Sequence, residues 1–566
     1  MSDTIYNHLE FLYGADQAAA VYDAVQQLMQ AARIAVSKTP AHMPRVSNRD
    51  VTLITYADSL QRQGERPLQT LANFVERRLR GWISTVHILP FYPYSSDDGF
   101  SVMDYYAVNP VVGEWGDIER LNQSVKLMFD LVINHASAQG EWFQRWLAND
   151  PEFDGLFLTA DPNANLNSVI RPRTSPLLTP FQRANGETSH VWTTFSADQV
   201  DFDFGNPGTF LKMLAVLLFY CEQGAQVIRL DAIGFLWKQM GTSCIHLPET
   251  HAVVQLMRAV LDVVAPDVVL ITETNVPHAE NVSYFGNGMN EAQLVYNFTL
   301  PPLLLHTMIT GKTHKLMEWV NTLDAPSTRT TFFNFTASHD GIGVRPVEGI
   351  LNHVEMDALL THVEERGGRI SYRSNPDGSR SPYELNVTYL DAVVSPYLSE
   401  ELQIRQFIAS QAVMLALAGV PAVYIHSLLG SHNDTYAVER LGYNRAINRA
   451  KLNSDVLEAE LKNPASFRAK IFSGYLDLIR ARTPQPAFHP NAYQAAVDLG
   501  NEGVFTVVRD VGGQRIAAIH NLTATPQRVR LKNADVKSGR CLNTGRIVEG
   551  GQTQLAPFEV LWLEAD

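Results

Sequence analysis

Cysteine is scarce: three residues (Cys221, Cys244 and Cys541) in 566, which excludes a disulfide scaffold. No CxxC, HExxH or paired Cys/His spacing is present, so nothing points to a structural zinc site. Basic residues are in the minority, 45 Lys and Arg against 59 Asp and Glu, for a net charge of −14. That balance argues against non-specific nucleic-acid binding, which needs clustered cations. It leaves room for a small anion held by a few local arginines. Long apolar runs are missing as well. The most apolar stretch, AVMLALAGVPAVYI (412–425), is too short to span a bilayer and is broken by Gly-Val-Pro. It reads as a helix, a turn and a strand of a core. The first residues, MSDTIYNHLEFLYGADQ, carry acids and lack the basic and apolar regions of a secretory signal. The expectation is a soluble cytoplasmic protein. Short-period repeats and low-complexity linkers are also absent.

What is present is an ordinary globular composition, 45% hydrophobic and 18% charged, in a chain long enough for several domains. Eight short β-branched or aromatic runs recur, most followed by a helical stretch. They are 51–58 (VTLITYAD), 86–91 (VHILPF), 126–135 (KLMFDLVINH), 227–235 (VIRLDAIGF), 268–275 (VVLITETN), 294–300 (LVYNFTL), 330–340 (TTFFNFTASHD) and 420–426 (VPAVYIH). Their near-continuous apolar character suits parallel strands buried on both faces. Successive starts lie 35, 40, 101, 41, 26, 36 and 90 residues apart. Five of these spacings fit one βα unit each; the two long ones read as insertions after strands 3 and 7. The fold class expected is α/β, a (β/α)8 TIM barrel at 49–135, 207–340 and 396–482, with insertions at 136–206 and 341–395. A doubly wound sheet is the runner-up, but no GxGxxG follows a strand. Residues 1–48 read as a helical extension. From 483 to 566 short strands (GVFTVVRD, RIAAIHNL, QRVRL, FEVLWLE) suggest an antiparallel β domain.

Charges inside a strand demand a reason. VIRLDAIGF places Arg229 and Asp231 at i and i+2, on one face. This pair alone reads equally as a structural ion pair or as a carboxylate oriented by a guanidinium. Glu273 ends the fifth run, and His339 with Asp340 ends the seventh. Each acid alone reads as a cap or a solvated loop acid. Three at the C-terminal ends of three barrel strands fall where barrel enzymes keep their active sites. Paired carboxylates are the equipment of glycosidic bond chemistry, one attacking the anomeric centre and one protonating the leaving oxygen. Asn134 and His135 end the third run, and two strand-end histidines suit sugar hydroxyls.

The set NH (134–135), RLDA (229–232), ITET (271–274) and SHD (338–340) resembles the four signature regions of the α-amylase superfamily, glycoside hydrolase family 13. The resemblance implies Asp231 as nucleophile, Glu273 as general acid/base and Asp340 as transition-state stabiliser. It further implies that Arg229, His135 and His339 bind the transferred glucose. Other segments are similar to the sucrose-phosphorylase branch. SSDDGFSVMDY (95–105) implies Asp97 and Phe100 at the glucose. GYNRAINR (442–449) implies Arg445 as the arginine that pairs with Asp97. VWTTFSADQVDFD (191–203) implies Phe195 and Gln199 as platform and ligand.

A phosphorylase must bring phosphate beside carboxylates, so local arginines are needed. The candidates are Arg171 and Arg173 of RPRTSPLLTPF and Arg380 of the second insertion; the resemblance places phosphate on Arg173 and Tyr383. The branch acts on sucrose, sucrose 6-phosphate, glucosylglycerol or glucosylglycerate. TYADS, LPFYPYSSDDGFS, ITETNVPH and SNPDGSRSPYE look most like its glucosylglycerate-specific members, with Arg380 a candidate for the glycerate carboxylate. The expected partners are therefore a small α-glucoside and inorganic phosphate, with no cofactor and no metal, in a monomer or homodimer. DPNANLN (161–167) lacks the spacing of a calcium loop and reads as a solvated turn. An α-glucosidase and a non-catalytic sugar binder stand as alternative readings.

Overall fold

The computed structural model describes residues 2–34, 45–375 and 377–566. Residues 35–44 of the expected N-terminal extension, and residue 376 of the second insertion, lie outside the described residues.

Eight parallel strands close into a barrel in sequential order. They are β1 (Thr52–Thr55), β2 (Thr85–Ile88), β3 (Lys126–Leu131), β4 (Ala225–Leu230), β5 (Val269–Thr272), β6 (Leu294–Tyr296), β7 (Thr331–Phe335) and β8 (Val420–Tyr424). Each lies within, or starts at most two residues before, one of the eight apolar runs. All but Lys126 of β3 and Gln226 and Val227 of β4 are buried, so continuous runs replace alternation. The strands end before the runs do, and the last residues of each run form the loops at the C-terminal mouth. The 412–425 stretch is the end of helix Glu400–Ala416 followed by β8.

The insertion after β3 opens with a short strand, His135–Ser137, paired antiparallel with Gln199–Asp201. Between them sit helix Glu141–Leu147 and the hairpin Leu178–Gln182/Thr188–Trp192. The insertion after β7 holds helix His353–Glu365 and a three-stranded sheet of Ile342–Gly343, Arg369–Ser374 and Arg380–Asn386. Helices α1 (Ser2–Tyr13) and α2 (Ala15–Ala31) bury Ile5, Leu9, Val21 and Val25 in the main core.

Beyond the helix Phe467–Arg482, a six-stranded antiparallel sheet carries its own small core around Val504, Ile519, Leu561 and Leu563. Two buried arginines stand at the junction of barrel and sheet, bonded to carbonyls rather than acids. Arg482 donates to the carbonyls of Leu415 at 2.9 Å and Asn48 at 2.7 Å; Arg509 donates to those of Ala416 at 2.8 Å and His489 at 2.6 Å. Leu415 and Ala416 end a helix, where orphan carbonyls and the dipole both favour a cation.

Candidate active site

The floor of the mouth is built by neighbouring strands. Asp130 of β3 pairs in register with Arg229 of β4. Its carboxylate accepts from the Arg229 guanidinium and lies 2.7 Å from His87 Nε2 of β2. Burial would raise the Asp130 carboxyl, but Arg229 and His87 beside it hold it below the usual range. Arg229, so anchored, donates through Nη1 to Asp231 Oδ1 at 2.7 Å.

Asp231 follows β4 directly and Glu273 follows β5 directly. The residue between them in space is Ala232, left-handed at φ +50°, whose N–H donates to Glu273 Oε2 at 3.1 Å. Asp97 and His246 line the same pocket and are also left-handed. Such conformations cost of order 1 kcal/mol or more each and gather at functional sites.

The two acids are not equivalent. Burial and neighbouring carboxylates push both upward. Arg229 bonds Asp231 directly but comes no closer than 3.8 Å to Glu273. The direct guanidinium contact favours the charged form of Asp231, and Glu273 has no such contact. Asp340 is different again. Burial would raise it, but Arg445 at 2.6 Å, His339, Arg449 and Arg229 hold its carboxyl well below the usual range.

One wall is aromatic. Phe100 stacks on His339 with centroids 4.8 Å apart, and Phe195 packs against His135 at 5.2 Å and Phe235 at 5.6 Å. His135 Nε2 lies 2.9 Å from the Phe100 carbonyl. Gln199 Nε2 lies 3.3 Å from His135 Nε2 and 3.5 Å from Asp97 Oδ2. The turn carrying Asp97 and Phe100 needs Gly99 at φ +111°, where a Cβ would come within 2.5 Å of the Pro90 carbonyl. Below this wall the Lys238 ammonium sits 2.7 Å from both Asp201 Oδ2 and Asn134 Oδ1. Among the described residues, no group of three or more His, Cys, Asp or Glu is placed to hold a metal.

The structure thus brings Asp97, Phe100, His135, Phe195, Gln199, Asp231, Glu273, His339, Asp340, Arg173, Tyr383 and Arg445 to one pocket with about 760 Å³ of empty volume; Arg229 lies beneath it.

Two expectations are corrected. Arg445 does not pair with Asp97; its guanidinium reaches Asp340 and, at 2.6 and 3.1 Å, Glu384. Arg445 lies in the short turn Asn444–Asn448, and Arg449, which follows that turn, pairs with Asp98 at 2.7 Å and Asp97 at 3.6 Å. Arg380 is not in the pocket. It is exposed at the outer end of strand Arg380–Asn386 and lines an outer vestibule. Arg380 lies three residues, roughly 10 Å, further out along this strand than Tyr383, and a register shift at Tyr383 interrupts the alternation between them. Arg173 does converge with Tyr383: its guanidinium lies 5.1 Å from that ring centroid and 5.6 Å from Phe195, lining pocket and vestibule alike.

Sequence reasoning passed over Asp130, Arg345, Glu384 and Arg449. The charge inside KLMFDLVINH signalled Asp130 by the argument that found Arg229. Glu384, Arg345 and Arg449 lie in loops or insertions, where a charge carries no signal until the fold shows its partners.

The α-amylase catalytic-domain pattern matches residues 82–343. A glucosylglycerate phosphorylase of Allomeiothermus silvanus is 47% identical over all of this chain and 98% of its own length. One of Escherichia coli K12 is 43% identical, each chain covered completely. A sucrose phosphorylase of Agrobacterium vitis is 32% identical over 80% of this chain and 91% of its own. A solved sucrose 6F-phosphate phosphorylase from Thermoanaerobacter thermosaccharolyticum superposes with a TM-score of 0.73 at 26% identity, over 84% of this chain and 94% of the other. The chain belongs to the α-amylase family. Within that family it is one of the sucrose-phosphorylase-like enzymes.

Proposed function

We propose that this chain is a retaining phosphorylase that transfers an α-glucosyl unit from 2-O-α-glucosylglycerate to phosphate, giving α-glucose 1-phosphate and D-glycerate. The observation that carries the reading is the unequal carboxylate pair, Asp231 bonded to Arg229 and Glu273 not, in a pocket rimmed by guanidiniums. Likeness over the full length to glucosylglycerate phosphorylases supports the choice of glucoside.

In this reading Asp231 attacks the anomeric carbon while Glu273 gives its proton to the departing glycerate oxygen. The products of this half are a β-glucosyl ester on Asp231, free glycerate and a Glu273 carboxylate. Phosphate enters the vacated space, steadied by Arg173 and Tyr383. One of its oxygens returns to the anomeric carbon, Glu273 takes up the proton of a protonated phosphate, and Asp231 is released. Two inversions give net retention. Asp340, kept anionic by Arg445, faces the positive charge that develops on the sugar. Phe100, His339, His135, Asp97 and Gln199 enclose the glucose. The parts at 1–48, 136–206, 341–395 and 483–566 serve in this reading as appendages to the barrel, the two insertions roofing its mouth.

The test runs the reaction backwards from α-glucose 1-phosphate with D-glycerate, glycerol, fructose or fructose 6-phosphate as acceptor. Phosphate release with glycerate far above the other three is expected. Preference for fructose would keep the mechanism and overturn the acceptor. Asp231→Asn should lower the rate by about 10⁴-fold or more, as loss of a nucleophile does elsewhere; an unchanged rate would remove the covalent step.

A further inference from the structure

The cations of the pocket are not equally satisfied. Arg229 is bonded to two carboxylates, Arg445 to two, and Arg449 to Asp98. Arg345 is bonded to none. It begins the short turn Arg345–Val347 just after the strand Ile342–Gly343, is only 8% exposed, and lines the pocket that contains Asp231 and Glu273. Among the described residues no carboxylate lies within ion-pair reach of it, and its buried Nε has no hydrogen-bond partner. A guanidinium buried without a counter-ion is destabilising, and in a ligand pocket the natural remedy is an anion that arrives with the ligand.

The backbone fixes where that anion would sit. Gly343, two residues before Arg345, is pressed against Asn275, two residues after Glu273. A Cβ on Gly343 would lie 2.3 Å from Asn275 Oδ1, so a side chain there would displace the Asn275 amide. Asn275 Oδ1 is itself buried without a partner, and Asn275 lines the pocket. Next to Gly343, Val344 N donates to the Tyr383 carbonyl at 3.1 Å. The loop carrying Arg345 is therefore clamped between the loop of the acid/base and the strand of Tyr383. In glucosylglycerate the carboxylate is one carbon removed from the glycosidic oxygen that Glu273 protonates. A cation for it must lie on the leaving-group side, near Glu273.

We propose that Arg345 is the specificity-determining residue that binds the carboxylate of the departing glycerate, with Asn275 beside it for the hydroxyls, while phosphate uses Arg173. This assignment rests on the glucosylglycerate reading above and moves the carboxylate contact from Arg380 to Arg345. It also separates the two anions of the reaction, so that carboxylate and phosphate meet different guanidiniums.

The full chain and its Arg345→Gln, Arg345→Lys and Arg173→Gln variants are compared in both directions. The readouts are the KM for glucosylglycerate and phosphate, and for D-glycerate and glycerol with α-glucose 1-phosphate as donor. Arg345→Gln is expected to raise the KM for glucosylglycerate and D-glycerate by about 10- to 100-fold, the scale of a charged hydrogen bond. The KM for phosphate should move far less, and the preference for glycerate over glycerol should collapse by the same factor. Arg345→Lys keeps the charge without the fork, should fall between, and decides the matter by the same ratio if the Gln variant does not fold. Arg173→Gln should show the reverse pattern. A rise in the phosphate KM equal to that for glycerate would make Arg345 a phosphate ligand and overturn the proposal. An unchanged glycerate-to-glycerol ratio would overturn it as well. A wild-type enzyme that does not prefer glycerate would sink the substrate reading instead, and is seen before any variant is made.

Discussion

At the scale of single residues, the proposed chemistry depends on three carboxylates being kept in different states by their neighbours. Burial, then nearby carboxylates, push Asp231 and Glu273 upward. The proposed mechanism requires Asp231 charged and Glu273 protonated. The rate should thus rise with pH on the acid side as Asp231 ionises, and fall on the alkaline side above the ordinary glutamate range. Arg445 pulls both Glu273 and Asp340 downward. Arg445→Gln should therefore move the alkaline limb of kcat/KM to higher pH while lowering its height; an unshifted limb would show that Arg445 does not govern Glu273. Glu273→Ala should lose phosphorolysis of glucosylglycerate yet still be glucosylated by α-glucosyl fluoride, whose leaving group needs no proton. Loss of both reactions alike would deny Glu273 the role of acid. The residues that sequence reading supplied, Asp231, Glu273 and Asp340, were legible because each stands where an apolar run ends. Arg449 and Arg345 were not, since a loop arginine declares itself only through the partners it has or lacks.

At the scale of elements, the eight strands were legible because parallel strands covered on both faces must be apolar throughout. Where each strand stops was not, because Asn134, Asp231 and Glu273 are continuous with it in sequence. The C-terminal sheet carries a buried titratable group of its own. His520, buried in it, accepts from the Trp562 indole through Nε2 at 3.1 Å and faces the Phe505 carbonyl through Nδ1 at 3.3 Å. That arrangement fits only the neutral ring with its proton on Nδ1. Burial lowers the imidazole from 6.5 to about 4. The sign follows: above pH 6.5 neither folded nor unfolded chain holds this proton. As pH falls toward 4 the unfolded chain takes it up and the folded chain refuses it. Stability is then lost, by roughly 2 kcal/mol from this group at pH 5. The drop in unfolding temperature from pH 7 to pH 5 should shrink in His520→Gln. An equal drop would place the pH sensitivity in other groups.

At the scale of the whole molecule, a chain of net charge −14 places three arginines without a carboxylate partner among the described residues at one mouth. Arg345 and Arg173 line the pocket and Arg380 the vestibule outside it. The field there is local, which suits capture of small anions and not of a polyanion. Among the described residues no helix is long and apolar enough to cross a membrane. The insertions after β3 and β7 supply Arg173 and Tyr383, so the proposed anion-binding rim needs both of them folded over the barrel. The central claim is that glucose leaves glycerate for phosphate with retention. It is met most directly by incubating the enzyme with 2-O-α-glucosylglycerate, with and without phosphate, and following the sugar by NMR. The account predicts α-glucose 1-phosphate that appears only with phosphate. Free glucose at the same rate in both samples, or the β anomer of the phosphate, would contradict it.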